Sequence, residues 1–354
     1  MQAILGVFFH FIGGFASGSF YIPFKKVKNW AWESYWIVGG FFSWLIVPFL
    51  AAWITVPDFL AIIRSTDGIT LFWTYFMGVL WGIGGLTFGL AMRYLGLSLG
   101  MSVALGYTSA FGSLIPPIYR DLVGSTVPDA VTFSGMLHSN SGKLVLLGVL
   151  VCLGGIAICG KAGMMKENEL PEDKKKESIQ EFNLRKGLIV ATISGILSAC
   201  FNFGIEAGKP MAEIAIRQGS NPLFQNNVIF VVLLWGGLTT NLLWCLLLNA
   251  RNKTFGDYTN KSTPLASNYF FAAIAGTTWF LQFFFYGMGE SKLGNGASSW
   301  ILHMAFIIMV SSLWGITLRE WKGVSKKTFG TILLGILTIM ASVLLVGYGN
   351  SLTD

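Results

Sequence analysis

The chain has 354 residues, of which 53% are apolar and 12% charged, with a mean hydropathy of +0.63 and a formal net charge of +7. A water-soluble domain of this size does not carry so few charges, so the solvent for most of the chain is lipid. The basic excess does not call for nucleic acid, because it falls between apolar stretches, where lysine and arginine mark the cytoplasmic side of a membrane protein.

A helix needs roughly 20 residues to cross about 30 Å of hydrocarbon. Ten stretches qualify, over 3–24, 33–56, 70–92, 98–119, 143–163, 186–207, 223–250, 268–289, 297–319 and 327–349. The first has no basic segment ahead of it and no small-residue cleavage site, which predicts a retained helix rather than a signal peptide. The third and fourth are dense in glycine, over Trp81 to Gly85 and Gly100 to Gly112, and small residues let backbones approach closely in lipid. After the fifth comes the most polar stretch, Lys166 to Gln180, where Pro171 precedes a Glu-Asp-Lys-Lys-Lys-Glu run with the composition of a solvated linker. It predicts a five-helix unit over 1–165, a cytoplasmic linker over 166–182 and a second five-helix unit over 183–354. The four cysteines (Cys152, Cys159, Cys200 and Cys245) sit singly within these stretches, so neither a disulfide frame nor a metal or cofactor site is implied.

The loops after helices 1, 3, 5, 7 and 9 carry eighteen Lys and Arg residues, and the opposite side carries six. That asymmetry predicts both termini outside. The two halves also echo each other. At an offset of 181, Gly6, Gly14, Ser17, Phe20 and Lys28 meet Gly187, Gly195, Ser198, Phe201 and Lys209. At an offset of 198, Gly78, Trp81, Gly89, Leu95 and Gly96 meet Gly276, Trp279, Gly287, Leu293 and Gly294. Because each half holds an odd number of helices, the second enters the membrane from the other side. The expected fold is an all-α membrane protein of ten transmembrane helices, built as two inverted five-helix repeats, an arrangement associated with alternating access.

Several longer phrases are distinctive: Phe24-Lys25-Lys26-Val27-Lys28 with Trp32-Glu33, Met92-Arg93-Tyr94-Leu95-Gly96, Lys209-Pro210-Met211, Leu281-Gln282-Phe283-Phe284-Phe285-Tyr286, Ser299-Trp300 with Leu302-His303-Met304, and Glu320-Trp321. Over nearly the whole chain these resemble the L-rhamnose-proton symporter family of the drug/metabolite transporter superfamily. The resemblance implies ten helices in two inverted halves, as spacing and charge do independently. It alone implies the substrate, L-rhamnose or a close 6-deoxyhexose, and the proton as coupling ion.

An ionisable group within hydrocarbon costs about 3 kcal/mol or more, so each is a functional candidate. They are His10, Glu33, Arg93, Glu206, Glu290 and His303. His10, Gln282 and His303 all lie roughly 10 Å in from the outer helix ends, and could face one cavity. Trp279, Gln282, Phe283 and Tyr286 recur at i, i+3, i+4 and i+7 on one helical face, and Trp300 and His303 at i, i+3 on another. A sugar packs its C–H face on an aromatic ring and its hydroxyls on amide, imidazole or phenol groups. The expected sugar site is therefore Trp279, Gln282, Tyr286, Trp300 and His303, with Asn202 and Tyr107 at its margin.

A coupling proton requires a group that titrates between the pH values of two compartments, which points to Glu33, His10 and His303. Glu33 lies beside Lys25, Lys26 and Lys28, so it also reads as one half of a surface ion pair. Arg93 reads as a snorkelling cation at a helix end. Glu206 and Glu290 fall near outer helix ends, Glu206 within i, i+3 reach of Lys209, and neither belongs to the resemblance.

Other functions compete. A nucleotide-sugar carrier needs several buried cations, and an intramembrane enzyme needs clustered nucleophile or metal chemistry; the sequence offers neither. A drug or metabolite exporter of the same fold and a non-transporting sugar sensor both stay open, as does the oligomeric state.

Overall fold

The computed structural model describes residues 2–95, 97–124, 131–169, 183–317 and 321–352, and among them all regular structure is helical. The Arg93 side chain, Glu320 and residues 170–182 of the expected linker lie outside the described residues. The first half contains α1 (Gln2–Ser19), α2 (Tyr21–Phe24), α3 (Trp32–Phe41), α4 (Val47–Thr55), α5 (Phe59–Ser65), α6 (Gly68–Leu95), α7 (Leu97–Val123), α8 (Phe133–His138) and α9 (Asn140–Glu169). The second contains α10 (Leu184–Arg217), α11 (Asn227–Asn252), α12 (Leu265–Leu293), α13 (Gly296–Thr317) and α14 (Lys326–Gly349). Among the described residues nine helical segments are long and apolar enough to cross a membrane. The expected fourth span forms α7, 27 residues long and rich in glycine and hydroxyl side chains, which is not one of the nine.

Local sequence explains where the helices depart from expectation. Pro48 has no amide to donate, and just ahead of it the helical register widens into a π-turn over Phe42–Ile46, which joins α3 to α4 into one span. Asn183 caps α10 by accepting from the Lys186 amide at 3.0 Å. α10 then runs ten residues beyond the expected end at 207. Pro210 does not stop it, because Met211, Ala212 and Ala215 bury one face of the extension against Val228, Ile229 and Val232 of α11. The short α5, not foreseen, buries Phe59 and Ile62 in the same cluster.

Lipid offers no hydrophobic force between helices, so packing depends on close backbone approach. A Cβ on Gly276 of α12 would fall on the Gly39 carbonyl of α3, and one on Gly78 of α6 would fall on the Leu233 carbonyl of α11. The α9 and α14 pair meets in the same way at Gly155 and Gly335. At these crossings any side chain must push the helices apart.

The N-terminal end of α14 has its own lock. Ser325 caps the helix, and the Glu169 carboxylate at the end of α9 accepts from the Ser325 amide at 2.6 Å and its hydroxyl at 2.7 Å. These bonds and one from Thr328 hold the Glu169 carboxyl below the ordinary carboxylate value of 4.5. A carboxyl whose folded pKa is depressed contributes stability above its unfolded pKa and loses it as pH falls through the folded value. Thermal unfolding in detergent is therefore expected to lose a component on acidification below about pH 4.5 that Glu169→Gln lacks. At the helix crossings, Gly276→Val should cost about 1–3 kcal/mol, whereas Gly85→Val, with nothing within 4 Å of its Cβ position, should be close to neutral. Equal melting shifts for the two variants would contradict the packing assignment.

Candidate functional site

One face of α12 assembles the site. Gln282, Phe283, Tyr286 and Glu290 are buried along it at helical spacing, with Trp279 one turn earlier. Tyr286 sits at the centre. Its hydroxyl donates to Asn202 Oδ1 at 3.1 Å, and Asn202 Nδ2 donates to the Gly112 carbonyl at 2.8 Å, tying α12 to α10 and α7. The Trp300 indole donates to the Thr108 carbonyl at 2.9 Å and covers Gly112, where a Cβ would overlap it.

Three rings turn an edge or face to Tyr286. The His10 and His303 imidazoles each lie 5.3 Å from it, centroid to centroid, and Trp300 lies at 6.0 Å. The two imidazoles are 6.1 Å apart. Glycine makes room for both: His10 of α1 packs on Gly289 of α12, and His303 of α13 packs on Gly13 of α1. His10 is 0% exposed and His303 1%. Among the described residues, both ring nitrogens of each, and Gln282 Nε2, meet no hydrogen-bond partner. Burying such groups without a hydrogen-bond partner in the protein costs free energy that a hydroxylated ligand would recover.

Beneath these polar groups lies an aromatic floor. Phe201 stacks on Phe283 at 4.3 Å, and Trp81 packs on Phe201 at 5.0 Å. Trp279 packs on Phe20 at 4.3 Å and lines a narrow cleft with Phe24, Trp36, Ser43 and Trp44 between α1–α2, α3 and α12. Of the expected sugar-site residues, Gln282, Tyr286, Trp300, His303 and Asn202 thus come together, and Trp279 borders them.

Tyr107 and Glu33 fall elsewhere. Tyr107 is 37% exposed and its ring stacks on Phe111, while its Cβ abuts Gly195. Glu33 lies at the start of α3, where its Oε1 accepts from Asn252 Nδ2 at 2.9 Å and Thr254 Oγ1 at 2.8 Å. The expected ion pair with Lys25, Lys26 or Lys28 is not among those found in the described residues, because the carboxylate is occupied by the end of α11 instead.

A second polar cluster was not legible as a unit. Glu206 of α10 pairs with Lys209 at 2.9 Å and with Arg120 of α7. Arg120 also donates to the Val131 carbonyl at 2.9 Å. Glu290 Oε2 accepts from Asn226 Nδ2 at 2.6 Å. Glu206 Oε1 and Glu290 Oε1 lie 2.9 and 3.5 Å from the point a Cβ on Gly296 would occupy. Sequence spacing foretold the Glu206–Lys209 pair alone, since Arg120 and Glu290 are distant in the chain. Among the described residues no group of three or more His, Cys, Asp or Glu is placed to hold a metal ion.

The family model described as L-rhamnose-proton symport protein (RhaT) matches residues 1–352. Proteins named L-rhamnose-proton symporter resemble the chain throughout. The one from Pectobacterium carotovorum subsp. carotovorum (strain PC1) is 39% identical over 351 residues, covering 98% of each chain. Those from Klebsiella pneumoniae (strain 342) and Yersinia pestis (strain Pestoides F) are 37% and 38% identical, covering 98% of this chain and 97% and 98% of theirs.

The hydrogen bonds of Asn202 define a stability test. Asn202→Leu strands the Gly112 carbonyl and the Tyr286 hydroxyl and should cost about 1–3 kcal/mol. Tyr286→Phe, which leaves the amide bonded to Gly112, should cost about 1 kcal/mol. Unfolding in detergent by thermal or denaturant titration measures both, and a larger loss for Tyr286→Phe would contradict the arrangement.

Proposed function

Because the chain belongs to the L-rhamnose-proton symporter family, we propose that it imports L-rhamnose or a closely related 6-deoxyhexose together with protons across the bacterial inner membrane. The observation that carries this reading is the family match over residues 1–352. The site's chemistry supports it. A 6-deoxyhexose has an apolar C–H face and a methyl group that suit Tyr286, Trp300 and the Phe201–Phe283 floor, and hydroxyls that suit Gln282, Asn202 and the two imidazoles.

Sugar binds between α12, α13 and α10, with Gln282 and His303 as its principal hydrogen-bond partners and Trp279 as an aromatic wall on the cleft side. Tyr107 takes no direct part. His10 and His303 are the groups at the site able to hold the coupling proton, because imidazole titrates near physiological pH in water and both rings lie against the sugar's place. Glu33 joins α3 to the end of α11 and acts on the cycle through that contact.

The transport cycle is alternating access between two inverted five-helix repeats, 1–165 and 183–354, joined by a cytoplasmic linker over 166–182, with both termini outside. α7 is the tenth spanning helix. Paired glycines support the repeat: Gly78 of α6 meets Gly236 of α11 as Gly276 of α12 meets Gly39 of α3, so corresponding helices cross their partners at corresponding glycines. Such crossings allow one repeat to rock on the other around a site held at their junction.

Uptake of labelled L-rhamnose into proteoliposomes tests the reading. Accumulation should require an inward proton gradient and collapse with a protonophore. Gln282→Ala and His303→Ala should lose sugar binding. Wild-type uptake by the His303 variant would remove that residue from the site, and absence of gradient-driven uptake by folded wild-type protein would move the function to an exporter or a sensor.

A further inference from the structure

The Glu206–Glu290 cluster has charges that a ten-helix bundle does not need for packing. Its parts grade from wet to dry. The Arg120, Glu206 and Lys209 side chains are 18%, 17% and 35% exposed, whereas Glu290 is 7% exposed and lies one residue from Gly289. The two carboxylates divide the cations unequally. Glu206 has both Arg120 and Lys209, while Glu290 is in none of the ion pairs found among the described residues and holds one amide donor, from Asn226. An acid buried in a membrane protein without a cation partner is expensive and is a functional candidate for that reason.

A second observation points inward from Glu290. The His10 imidazole packs on Gly289, and neither of its nitrogens has a hydrogen-bond partner although the ring is fully buried. Glu290 also stands one helical turn beyond Tyr286, the hub of the proposed sugar site, so the acid and the hub share one face of α12. Gly296 at the start of α13 leaves the space into which Glu206 and Glu290 both reach. The titratable and charged groups around Glu290 are thus Glu206 and Lys209 of α10, Arg120 of α7 and Tyr286 of α12 itself, with His10 of α1 against the adjoining Gly289.

We propose that Glu290 is the acid through which the coupling proton passes between the Glu206 mouth and the His10 imidazole. A hydronium ion from the aqueous side gives a proton to the Glu290 carboxylate, forming the neutral acid and leaving water. The acid then passes that proton to a ring nitrogen of His10, regenerating the carboxylate and leaving an imidazolium. Glu206, paired with Arg120 and Lys209, anchors the mouth beside Glu290. This inference rests on the reading of the protein as a proton symporter.

The test separates coupling from binding. In proteoliposomes, Glu290→Gln keeps the Asn226 hydrogen bond and should lose gradient-driven accumulation of L-rhamnose while retaining exchange of labelled for unlabelled sugar. Glu290→Asp should keep both activities with a displaced pH profile. In wild-type protein, a hydrophobic carbodiimide, which attacks a protonated buried carboxyl, should modify Glu290 less as pH rises. Accumulation by Glu290→Gln equal to wild type would overturn the proposal. If that variant does not fold, absence of a Glu290 adduct at every pH would overturn it. Failure of the symport reading is distinct, since the wild-type protein would then show no gradient-driven uptake.

Discussion

The whole structure depends on backbones that touch at glycine. Lipid supplies no hydrophobic attraction between helices, and the helices of this chain are held where Gly39 meets Gly276 and Gly78 meets Gly236. Those contacts set the helix spacing one turn from Trp81 on α6 and Trp279 on α12. The same device operates within the site. His10, His303 and Trp300 fit only because Gly289, Gly13 and Gly112 carry no side chain.

Once the helices are that close, the cost of burying polar atoms organises the rest. Most polar side chains answer it within the protein: Asn202 bridges Gly112 and Tyr286, Trp300 finds Thr108, and Glu33 finds Asn252 and Thr254. His10, His303 and Gln282 are among those that do not; the two imidazoles stand against the Tyr286 ring, and Gln282 lies one turn before it on α12. Buried groups left together without protein partners are what a hydroxylated ligand can satisfy. The family match names the sugar, and these unpaired groups are of the chemistry that could receive it.

Much of this was legible in the sequence, for physical reasons. Spanning helices announce themselves by length and hydropathy, Gln282 and Tyr286 share one helical face and Trp300 and His303 another, and Gln282 and His303 point inward because an amide or imidazole is costly against lipid. What depends on contacts between distant segments was not legible. Nothing in Arg120 foretells Glu206, nothing in Glu33 foretells the end of α11, and the outward face of Tyr107 follows from the crossing at Gly195. The extension of α10 beyond Pro210 was likewise hidden, because its cause is burial against α11 and not local propensity.

The central claim is that sugar and proton meet at one buried polar site. The most direct measurement is proton uptake by the purified protein in weakly buffered detergent solution on addition of L-rhamnose, read as a change in pH. The account predicts uptake of protons that saturates with the sugar, is absent with a sugar that does not bind, and disappears in His303→Ala. L-rhamnose binding with no accompanying proton uptake at any pH would contradict it.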